Sequence, residues 1–361
     1  MKKILITGGP VYCYIDAVKI VTNRFKGGRM AELAQKLHQH SFNVTYLCPK
    51  DSIIHPTDGK IIYHNGFEDY REKVKEIAPE MDAVILGAAV CNLIPLNPLK
   101  GKFPSHNYKP GDVIPINFTI APRIVDEVKN VMKKDAHLFA FKLLKGVEHE
   151  ELVEAAYEIV LESKATCVFA NDANDLDVKY AVTKEHADIK LTGDEYIRFI
   201  EDCLNDKYYR TEMRHESLPS LKTLEKIEIL LRGWSNCFEK TYGKEKYIFG
   251  TIAVRDKKGY NAFVTTTRGK KTMEELSFVS DVDHNNLIVY ASGFKASLNA
   301  PLLHHIFEQH PNVMTIIHHH GSEKNVDILP YAMPGTKRDS LRDVPYAFEI
   351  KNHGMFLCYE D

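Results

Sequence analysis

The sequence predicts an α/β protein of two domains, the first built on a doubly wound parallel sheet. Short apolar runs, such as residues 4–7 and 81–90, alternate with amphipathic helical patterns from the N-terminus onward. A length of 361 residues exceeds what one hydrophobic core usually serves. The charged, aperiodic stretch 206–219 interrupts the alternation. We therefore predict domains over 1–205 and 220–361, joined by a linker over 206–219.

Composition excludes several function classes. The net charge of -2 provides no basic field for nucleic acid, and no apolar run is long enough to span a membrane. The opening MKKILITGGP is broken too early by Gly-Pro for a signal peptide. Seven cysteines without CxxC spacing indicate free thiols in a reducing compartment. We expect a cytoplasmic protein that acts on small molecules and binds neither nucleic acid nor membranes.

The stretch 3–37 has the pattern of a strand, a glycine turn and a helix. The pair Gly8-Gly9 ends the first apolar run, and a second glycine pair at 27–28 precedes a helical pattern with cations around its start. Free N–H groups at a helix start attract anions, so the stretch predicts a phosphate cradle. The spacings GxGxxG and GxxxxGK[ST] are both absent. An ordinary β-to-α turn with solvated lysines is the alternative.

Polar or small residues follow several of the predicted strands. Carboxyl ends of parallel strands meet at one edge of an open α/β sheet, where ligands bind. The residues expected at this edge are Gly8, Asn92, Lys142, Asn171 and Asp172.

Several segments of the first half resemble the phosphopantothenate–cysteine ligases. The matching segments are ITGGPVYCYIDAVKIVTNRFKGGRM, AAVCNLIP, GKFPS, FAFKLL and FANDAN, in the family's order within residues 1–200. The resemblance implies a Rossmann-like fold in which CTP or ATP, with Mg²⁺, activates a carboxylate as an acyl-nucleotide. An amine then displaces the nucleotide.

Carried over by position, the family assigns roles to individual residues. Gly8, Gly9 and Asn23 would hold phosphate and the acyl intermediate, and Lys102 would be the first lysine of the family's KIKK loop. The nucleotide pocket would comprise Asn92, Lys142, Asn171 and Asp172. Three positions depart from the family pattern, namely Asn92 in place of an Asp, Pro104 in place of the second lysine, and Leu144 in place of a Glu.

The second half contains the triplet His318-His319-His320 directly after the apolar run 313–317. Side chains alternate faces along a strand, so His318 and His320 project the same way. Two imidazoles at this spacing suit Zn²⁺ or a related divalent ion, and His353, after another predicted strand, is the best third ligand. Satisfied core or surface histidines are the alternative.

Residues 221–358 resemble the class II aldolase/adducin family. The matching segments are GTIAVR, VTTTRGKKTMEEL, ASLNAP, IIHHHG and FEIKNHGMFL. The resemblance implies an α/β domain with a largely antiparallel central sheet. In that family, a metal held here by His318, His320 and His353 would polarise a carbonyl.

The same resemblance assigns further residues and shows departures. Substrate phosphate would be bound by Thr251, Arg268 and Ser297. Asn299 occupies the position of the family's glutamate, and an amide cannot act as a general base. Glu323 and His319 are considered as replacements, and the reaction is open among lyase, epimerase and dehydratase chemistry.

Two hypotheses follow. The first is a bifunctional metabolic enzyme with Asn23, Lys102 and Asn299 as catalytic candidates, CTP or ATP in one half and a divalent metal in the other. The second is a catalytically altered nucleotide- and metal-binding scaffold, which the missing carboxylates at Asn92 and Asn299 favour. A flavin or nicotinamide oxidoreductase is weaker because the glycine fingerprint is absent. By analogy with both families, we expect a homo-oligomer, either a dimer or a tetramer.

Overall fold

A computed structural model describes residues 1–184, 188–215, 219–242, 245–256, 261–267, 271–321 and 325–360. The chain divides into two compact units, Met1–Leu204 and Asn205–Asp361. Each unit is built around its own sheet.

The first unit is organised around an eight-stranded sheet of order β14-β13-β12-β11-β7-β1-β5-β6. The six strands from β12 to β6 pair in parallel, whereas β13 and β14 pair antiparallel at one edge. The strands of this sheet are β1 (Lys3–Thr7), β5 (Asn43–Pro49), β6 (Lys60–His64), β7 (Ala83–Leu86), β11 (His137–Leu144), β12 (Cys167–Asp172), β13 (Asp175–Thr183) and β14 (Asp188–Thr192).

Helices connect the parallel strands, and residues of the loops form short two-stranded ribbons. The ribbons are β2 (Pro10–Val11) with β8 (Ala89–Val90), β3 (Cys13–Tyr14) with β4 (Ile20–Val21), and β9 (Leu93–Pro95) with β10 (Phe118–Ile120). The helices are α1 (Gly28–Gln39), α2 (Gly66–Ile77), α3 (Ile124–Val128), α4 (His149–Ser163) and α5 (Glu195–Asn205), with 3₁₀ turns at Ala78–Glu80 and Ser105–Asn107.

The predicted doubly wound parallel sheet is confirmed for the six parallel strands. Apolar residues of β1, such as Ile4 and Ile6, are fully buried, as a central parallel strand requires. The sequence analysis did not anticipate β13 and β14. The edge strand β14, residues 188–192, alternates buried apolar and exposed polar residues, and residues 175–183 of β13 are charged and exposed at their start.

The second unit contains a nine-stranded sheet of order β15-β21-β20-β19-β18-β22-β25-β24-β23. Only the outer pairs β15–β21 and β23–β24 are parallel among the described strands of this sheet, so the prediction of a largely antiparallel sheet is confirmed. Its strands are β15 (Arg210–Met213), β18 (Thr251–Arg255), β19 (Phe263–Thr266), β20 (Leu276–Asp283), β21 (Ile288–Gly293), β22 (Thr315–His319), β23 (Asp327–Leu329), β24 (Ala347–Ile350) and β25 (Gly354–Tyr359). The remaining elements are the ribbon β16 (Glu239–Tyr242) with β17 (Glu245–Ile248), and helices α6 (Leu221–Phe238), α7 (Ala300–Gln309) and α8 (Lys337–Ser340).

Alternation along β22 assigns its side chains to two different cores. Ile316 packs in a cluster with Leu302 and Ile306 of α7. Ile317 packs in a second cluster with Ile227 and other residues of α6. The strand therefore presents successive side chains to α7 on one face and to α6 on the other.

The segment expected to be a linker carries structure. Residues 210–213 form β15, which pairs in parallel with β21, and the boundary between the compact units falls at 204/205. The charged sequence of this strand, RTEM, suits an exposed edge strand, because only one of its sides is paired.

Within the described residues, no helix combines the length and apolar character that crossing a bilayer would require.

Candidate active sites in the two units

A cavity of about 890 Å³ lies at the carboxyl edge of the first sheet. Its walls include residues that follow β7, residues of β11 and β12, and the start of α1. This is the edge at which open α/β sheets bind ligands. Cavities of this size accommodate a nucleotide-sized molecule.

The start of α1 supplies backbone donors to this cavity. Gly27, Gly28 and Arg29 all line it, and the N-cap residue Gly27 provides no side-chain cap. Gly27 has φ 89°, and a Cβ built on it would lie 2.4 Å from the backbone nitrogen of Gly9. Glycine is therefore required for α1 to begin so close to the first turn. Because no acidic side chain occupies the first helical turn, its N–H groups suit an anion.

Lysines and arginines surround the same cavity. Lys142 is half-buried on β11, and Lys179 is only 4% exposed on β13. Lys179 donates to the carbonyl oxygen of Leu176 at 3.0 Å and lies over the ring of Tyr196. Burial lowers the pKa of Lys179, and the neighbouring Arg29 lowers it further. The charge of the cavity favours an anionic ligand.

Four of the predicted nucleotide-site residues line the cavity, namely Asn23, Asn92, Lys142 and Asn171. Asn23 donates its side-chain amide to the carbonyl oxygen of Val90 at 2.8 Å. Asn171 is buried and donates to the carbonyl oxygen of Val178 at 2.8 Å. Both amides are thereby oriented, which leaves their oxygens as acceptors.

The other predicted residues are not among those that line the cavity. Gly8 is buried and its N–H donates to the carbonyl oxygen of Leu47, so this amide is already used. Gly9 is buried beneath Gly27, Lys102 is exposed on its loop, and Asp172 accepts hydrogen bonds from the N–H groups of Gly146 and Asn174. These residues shape turns around the site.

Asp16 is a structural anchor that the sequence analysis did not single out. It is buried, accepts hydrogen bonds from the N–H groups of Val18 and Lys19, and accepts another from Phe103 at 2.9 Å. The Lys19 ammonium, at 2.9 Å, holds the pKa of this carboxyl well below its usual range. Asp16 thus ties the glycine-rich opening to the loop around Lys102. Its signal was the Asp of the matching segment DAVKIVTN.

In the second unit, His318, His320 and His353 converge. One nitrogen from each ring lies within 4.8 Å of the other two. The ring centroids of His318 and His353 are 4.8 Å apart, and those of His318 and His320 are 5.2 Å apart. The structure places these three side chains together, and metal binding by them stays a prediction.

Local backbone features explain why the rings meet. His318 lies on the α7 face of β22, His320 follows directly after that strand, and His353 lies in the turn between β24 and β25. At Gly354, φ is 126°, and a Cβ there would lie 2.4 Å from the carbonyl oxygen of His319. The missing side chain lets the His353 turn approach the end of β22.

The hydrogen-bonding state of the rings fits a metal ion. His318 Nδ1 lies 2.9 Å from the carbonyl oxygen of Met355, which makes it the N–H nitrogen. Its Nε2 is buried and has no hydrogen-bond partner, and the same holds for Nδ1 of His353. Burial lowers the pKa of His353 to about 3 and that of His318 well below its usual value. Neutral imidazoles with an unused nitrogen are the form that binds divalent transition metals.

The predicted phosphate and base positions lie beside this cluster. Thr251 pairs with His318 across β18 and β22, and its hydroxyl lies 3.1 Å from that of Ser297. Asn299 caps α7, and its buried side-chain oxygen has no hydrogen-bond partner. Arg268 and Glu323 lie outside the described residues.

His319, considered as a replacement base, lies on the opposite face. Its ring packs at 5.6 Å from that of Trp234 on α6, and its Nδ1 accepts a hydrogen bond from Gly321 N–H. It therefore does not join the other three histidines, as expected from strand alternation.

Lys271 is a candidate site residue that the sequence analysis missed. Burial lowers the pKa of Lys271 to about 8, and its charge contributes to lowering the pKa of His318. Its ammonium donates to the carbonyl oxygen of Thr267. The sequence signal was its position in the segment that resembles the phosphate loop.

Known proteins resemble parts of the chain. A bifunctional coenzyme A biosynthesis protein, CoaBC of Thermococcus kodakarensis, is 25% identical over 202 residues, which are 55% of this chain and 46% of that protein. The chain thus spans about half the length of this curated relative.

Solved structures also resemble parts of the chain. The DNA/pantothenate metabolism flavoprotein from Streptococcus pneumoniae is 21% identical and covers 55% of this chain and 95% of its own, with a TM-score of 0.48. YgbL from Escherichia coli is 17% identical over 38% of this chain and 79% of its own, with a TM-score of 0.30. L-fuculose 1-phosphate aldolase from Glaciozyma antarctica is 15% identical over 41% of this chain and 69% of its own, with a TM-score of 0.27.

The family model for the DNA/pantothenate metabolism flavoprotein C-terminal domain matches residues 1–198, which is more than half of the sequence. Through this match, the chain belongs to that family.

Proposed function

We propose that the protein is a bifunctional metabolic enzyme. Its first unit binds CTP or ATP with Mg²⁺ and activates a small carboxylate or phosphate. Its second unit holds a divalent metal with His318, His320 and His353 and acts on a phosphorylated sugar or hydroxy acid. The observation that carries the proposal is the convergence of three imidazoles in the second unit, two of them buried with an unpartnered nitrogen.

For the first unit, the support comes from the cavity and from the family. The backbone N–H groups at the start of α1 would bind phosphate oxygens, and Lys142 would neutralise their charge. Asn23 and Asn171 are held by hydrogen bonds to carbonyl oxygens, so they would orient the sugar or base without reorganising.

For the second unit, the three imidazoles would hold Zn²⁺ or another divalent transition metal, which supplies Lewis-acid chemistry when bound. The chain's own groups determine what can happen around it. The hydroxyls of Thr251 and Ser297 are available to bind a substrate oxygen beside His318.

Proton transfer in the second unit requires a group other than Asn299. An amide neither takes up nor releases a proton near neutral pH, whereas Lys271 has a pKa of about 8. We assign Lys271 the role of proton carrier. Desolvation of its ammonium is the reason that the neutral amine is accessible near physiological pH.

Calorimetry on the full-length protein with CTP or ATP and Mg²⁺ tests the first unit. We expect one of the nucleotides to bind, and Lys142→Met to weaken binding roughly 10- to 100-fold because a charge-assisted hydrogen bond is lost. Lys102→Met is the matched control and should change affinity little, because Lys102 does not line the cavity. If wild-type protein binds neither nucleotide, the proposed activity of the first unit is wrong.

A catalytically altered scaffold is the second candidate. The observation that favours it is the amide at both Asn92 and Asn299, where the related families have carboxylates. A protein that binds nucleotide and metal yet releases no pyrophosphate, CMP or AMP with any carboxylate offered would favour the scaffold. Location in the cytoplasm and assembly into a homo-oligomer are also part of the proposal, by analogy with the two families.

A further inference from the structure

A second cluster of imidazoles lies in the C-terminal unit, apart from the three histidines already described. His304, His305 and Glu308 lie on α7, and His284 lies in the turn between β20 and β21. One ligand atom each from His284, His305 and Glu308 lies within 4.8 Å of the other two. Neither the family match nor the related enzymes assign a role to this cluster.

Helix geometry brings the α7 members together. Glu308 follows His304 by four residues and His305 by three, so one carboxylate faces both rings. The β20–β21 turn is fixed by the Asp283 carboxylate, which accepts hydrogen bonds from the N–H groups of Asn285 and Asn286. This turn delivers His284 to the same carboxylate.

A single oxygen, Oε2 of Glu308, lies near all three rings. Its distances are 3.4 Å to His284 Nε2, 3.6 Å to His304 Nδ1 and 3.5 Å to His305 Nδ1. His284 Nε2 and His304 Nδ1 are 3.2 Å apart.

These distances are long for hydrogen bonds to a carboxylate and match a coordination shell. Charge-assisted N–H···O bonds are typically about 2.7–2.9 Å long. Ligand atoms placed tetrahedrally at about 2.0–2.1 Å from Zn²⁺ are roughly 3.3 Å from each other. The separations of Glu308 Oε2 from His284 Nε2 and from His305 Nδ1, 3.4 Å and 3.5 Å, are close to that value.

Groups outside the cluster hold the rings in a ligand orientation. The hydroxyl of Tyr209 lies 2.6 Å from Nδ1 of His284, which leaves Nε2 facing the cluster. Partners on the second ring nitrogen are the usual support of metal-binding histidines.

Burial argues against a merely solvated cluster. His304 is 2% exposed, and its Nε2 has no hydrogen-bond partner. Nδ1 of His305 is also buried without one.

We propose that His284, His305 and Glu308 form a second divalent-metal site of the Zn²⁺ type, with the buried His304 beside it. Three protein ligands leave a fourth position for water or another small ligand. It would join the β20–β21 turn to α7, the helix that begins beside the first histidine cluster.

Cobalt binding to the full-length protein tests this site, because tetrahedral Co²⁺ absorbs visible light far more strongly than octahedral Co²⁺. In a His320→Ala background, which removes a ligand of the first cluster, we expect one equivalent of tetrahedral Co²⁺ per chain. Adding His305→Ala should abolish that signal, and adding Glu308→Gln should do the same while keeping the size of the side chain. His310→Ala, one residue past the end of α7, is the control and should retain the ion.

The outcomes separate this site from the first one. In otherwise wild-type protein, His305→Ala should remove one equivalent of metal and lower the melting temperature measured with Zn²⁺. This loss is expected whether or not the first cluster binds metal. The proposal would be overturned if a folded Glu308→Gln protein retained as many equivalents of metal as the wild type. It would also be overturned if cobalt bound only with an octahedral spectrum.

Discussion

The two candidate sites differ in how they are enclosed and in which part of the chain determines them. The first is an open-sided cavity whose ligand groups are backbone amides at α1 and lysines such as Lys142. The second is a compact group of neutral imidazoles, in which His318 and His353 are almost wholly buried. A cationic cavity suits a large anion that must enter and leave, whereas buried imidazoles suit a small ion that stays bound.

The two sites should also differ in how far they tolerate the loss of one side chain. Several partially exposed cations can compensate for one another in the cavity, so removing one of them should reduce the affinity for an anionic ligand only in part. Each of the three imidazoles of His318, His320 and His353 is a separate ligand, so removing one of them should reduce metal affinity strongly. The predictions below probe this contrast, beginning with the largest effect.

Removing one imidazole should eliminate metal binding at the first cluster. Even the loss of a group that only supports a ligand typically weakens metal binding about 10- to 100-fold. For His353→Ala, which removes a ligand itself, we expect affinity to fall by more than ~100-fold, measured as the loss of one equivalent of Zn²⁺ after dialysis.

Lys271→Met is the control for that measurement. Lys271 is not a ligand, so the metal should be retained, while turnover of any identified substrate should be lost with the proton carrier. Retention of all metal by His353→Ala would show that the buried triad does not hold the ion.

The first unit also contains a buried imidazole, that of His64, and its contribution to stability should depend on pH. His64 is 1% exposed with both ring nitrogens unpartnered, and burial lowers its pKa to about 4. Because the unfolded state takes up a proton near pH 6.5 and the folded state does so only near 4, stability should fall as pH decreases through this window. The slope expected from this group is about 1.4 kcal/mol per pH unit.

Urea unfolding of wild type and His64→Phe between pH 7 and pH 4 measures that contribution. The slope of the variant should be smaller than that of wild type by this amount, because the other buried histidines still contribute, and Phe should retain the edge contact with Tyr70. Parallel pH profiles for the two proteins would mean that His64 is protonated in the folded state. Zn²⁺ should not alter this slope, since His64 belongs to no described cluster of possible metal ligands.

The smallest expected effects come from substitutions of the glycine pair Gly27-Gly28 at the first site. Gly27→Ala should destabilise the protein by about 1–2 kcal/mol or more, because an alanine at φ 89° is strained and its Cβ would meet the Gly9 backbone. It should also weaken nucleotide binding by moving α1.

Gly28→Ala is the neighbouring control. A Cβ there meets nothing within 4 Å, and alanine is favoured over glycine in a helix, so stability should be equal or higher by roughly 0.5–1 kcal/mol. Equal effects of the two substitutions in chemical denaturation would contradict the close approach inferred at Gly27.

Much of the architecture could be predicted from the pattern of apolar and polar residues. Buried parallel strands such as β1 and β5 are continuous apolar runs, and His318 and His320 share a face because side chains alternate along any strand. Edge strands were missed, as with β14, or taken for a linker, as with β15, since a strand paired on one side needs no strong apolar pattern. Lys179 was overlooked as well, because nothing in its local sequence signals burial.

The sequence by itself determined the alternation of strands and helices, the glycine turns and the pairing of His318 with His320, because each depends on periodicity or on local backbone freedom. Only the tertiary structure decided that Asn92 and Lys142 line one cavity, that Lys102 does not, and that His284 meets three side chains of α7. Those relations depend on which strands are neighbours and on how turns are placed, and burial then sets the proton affinity of each group. Local sequence contains no record of such long-range contacts.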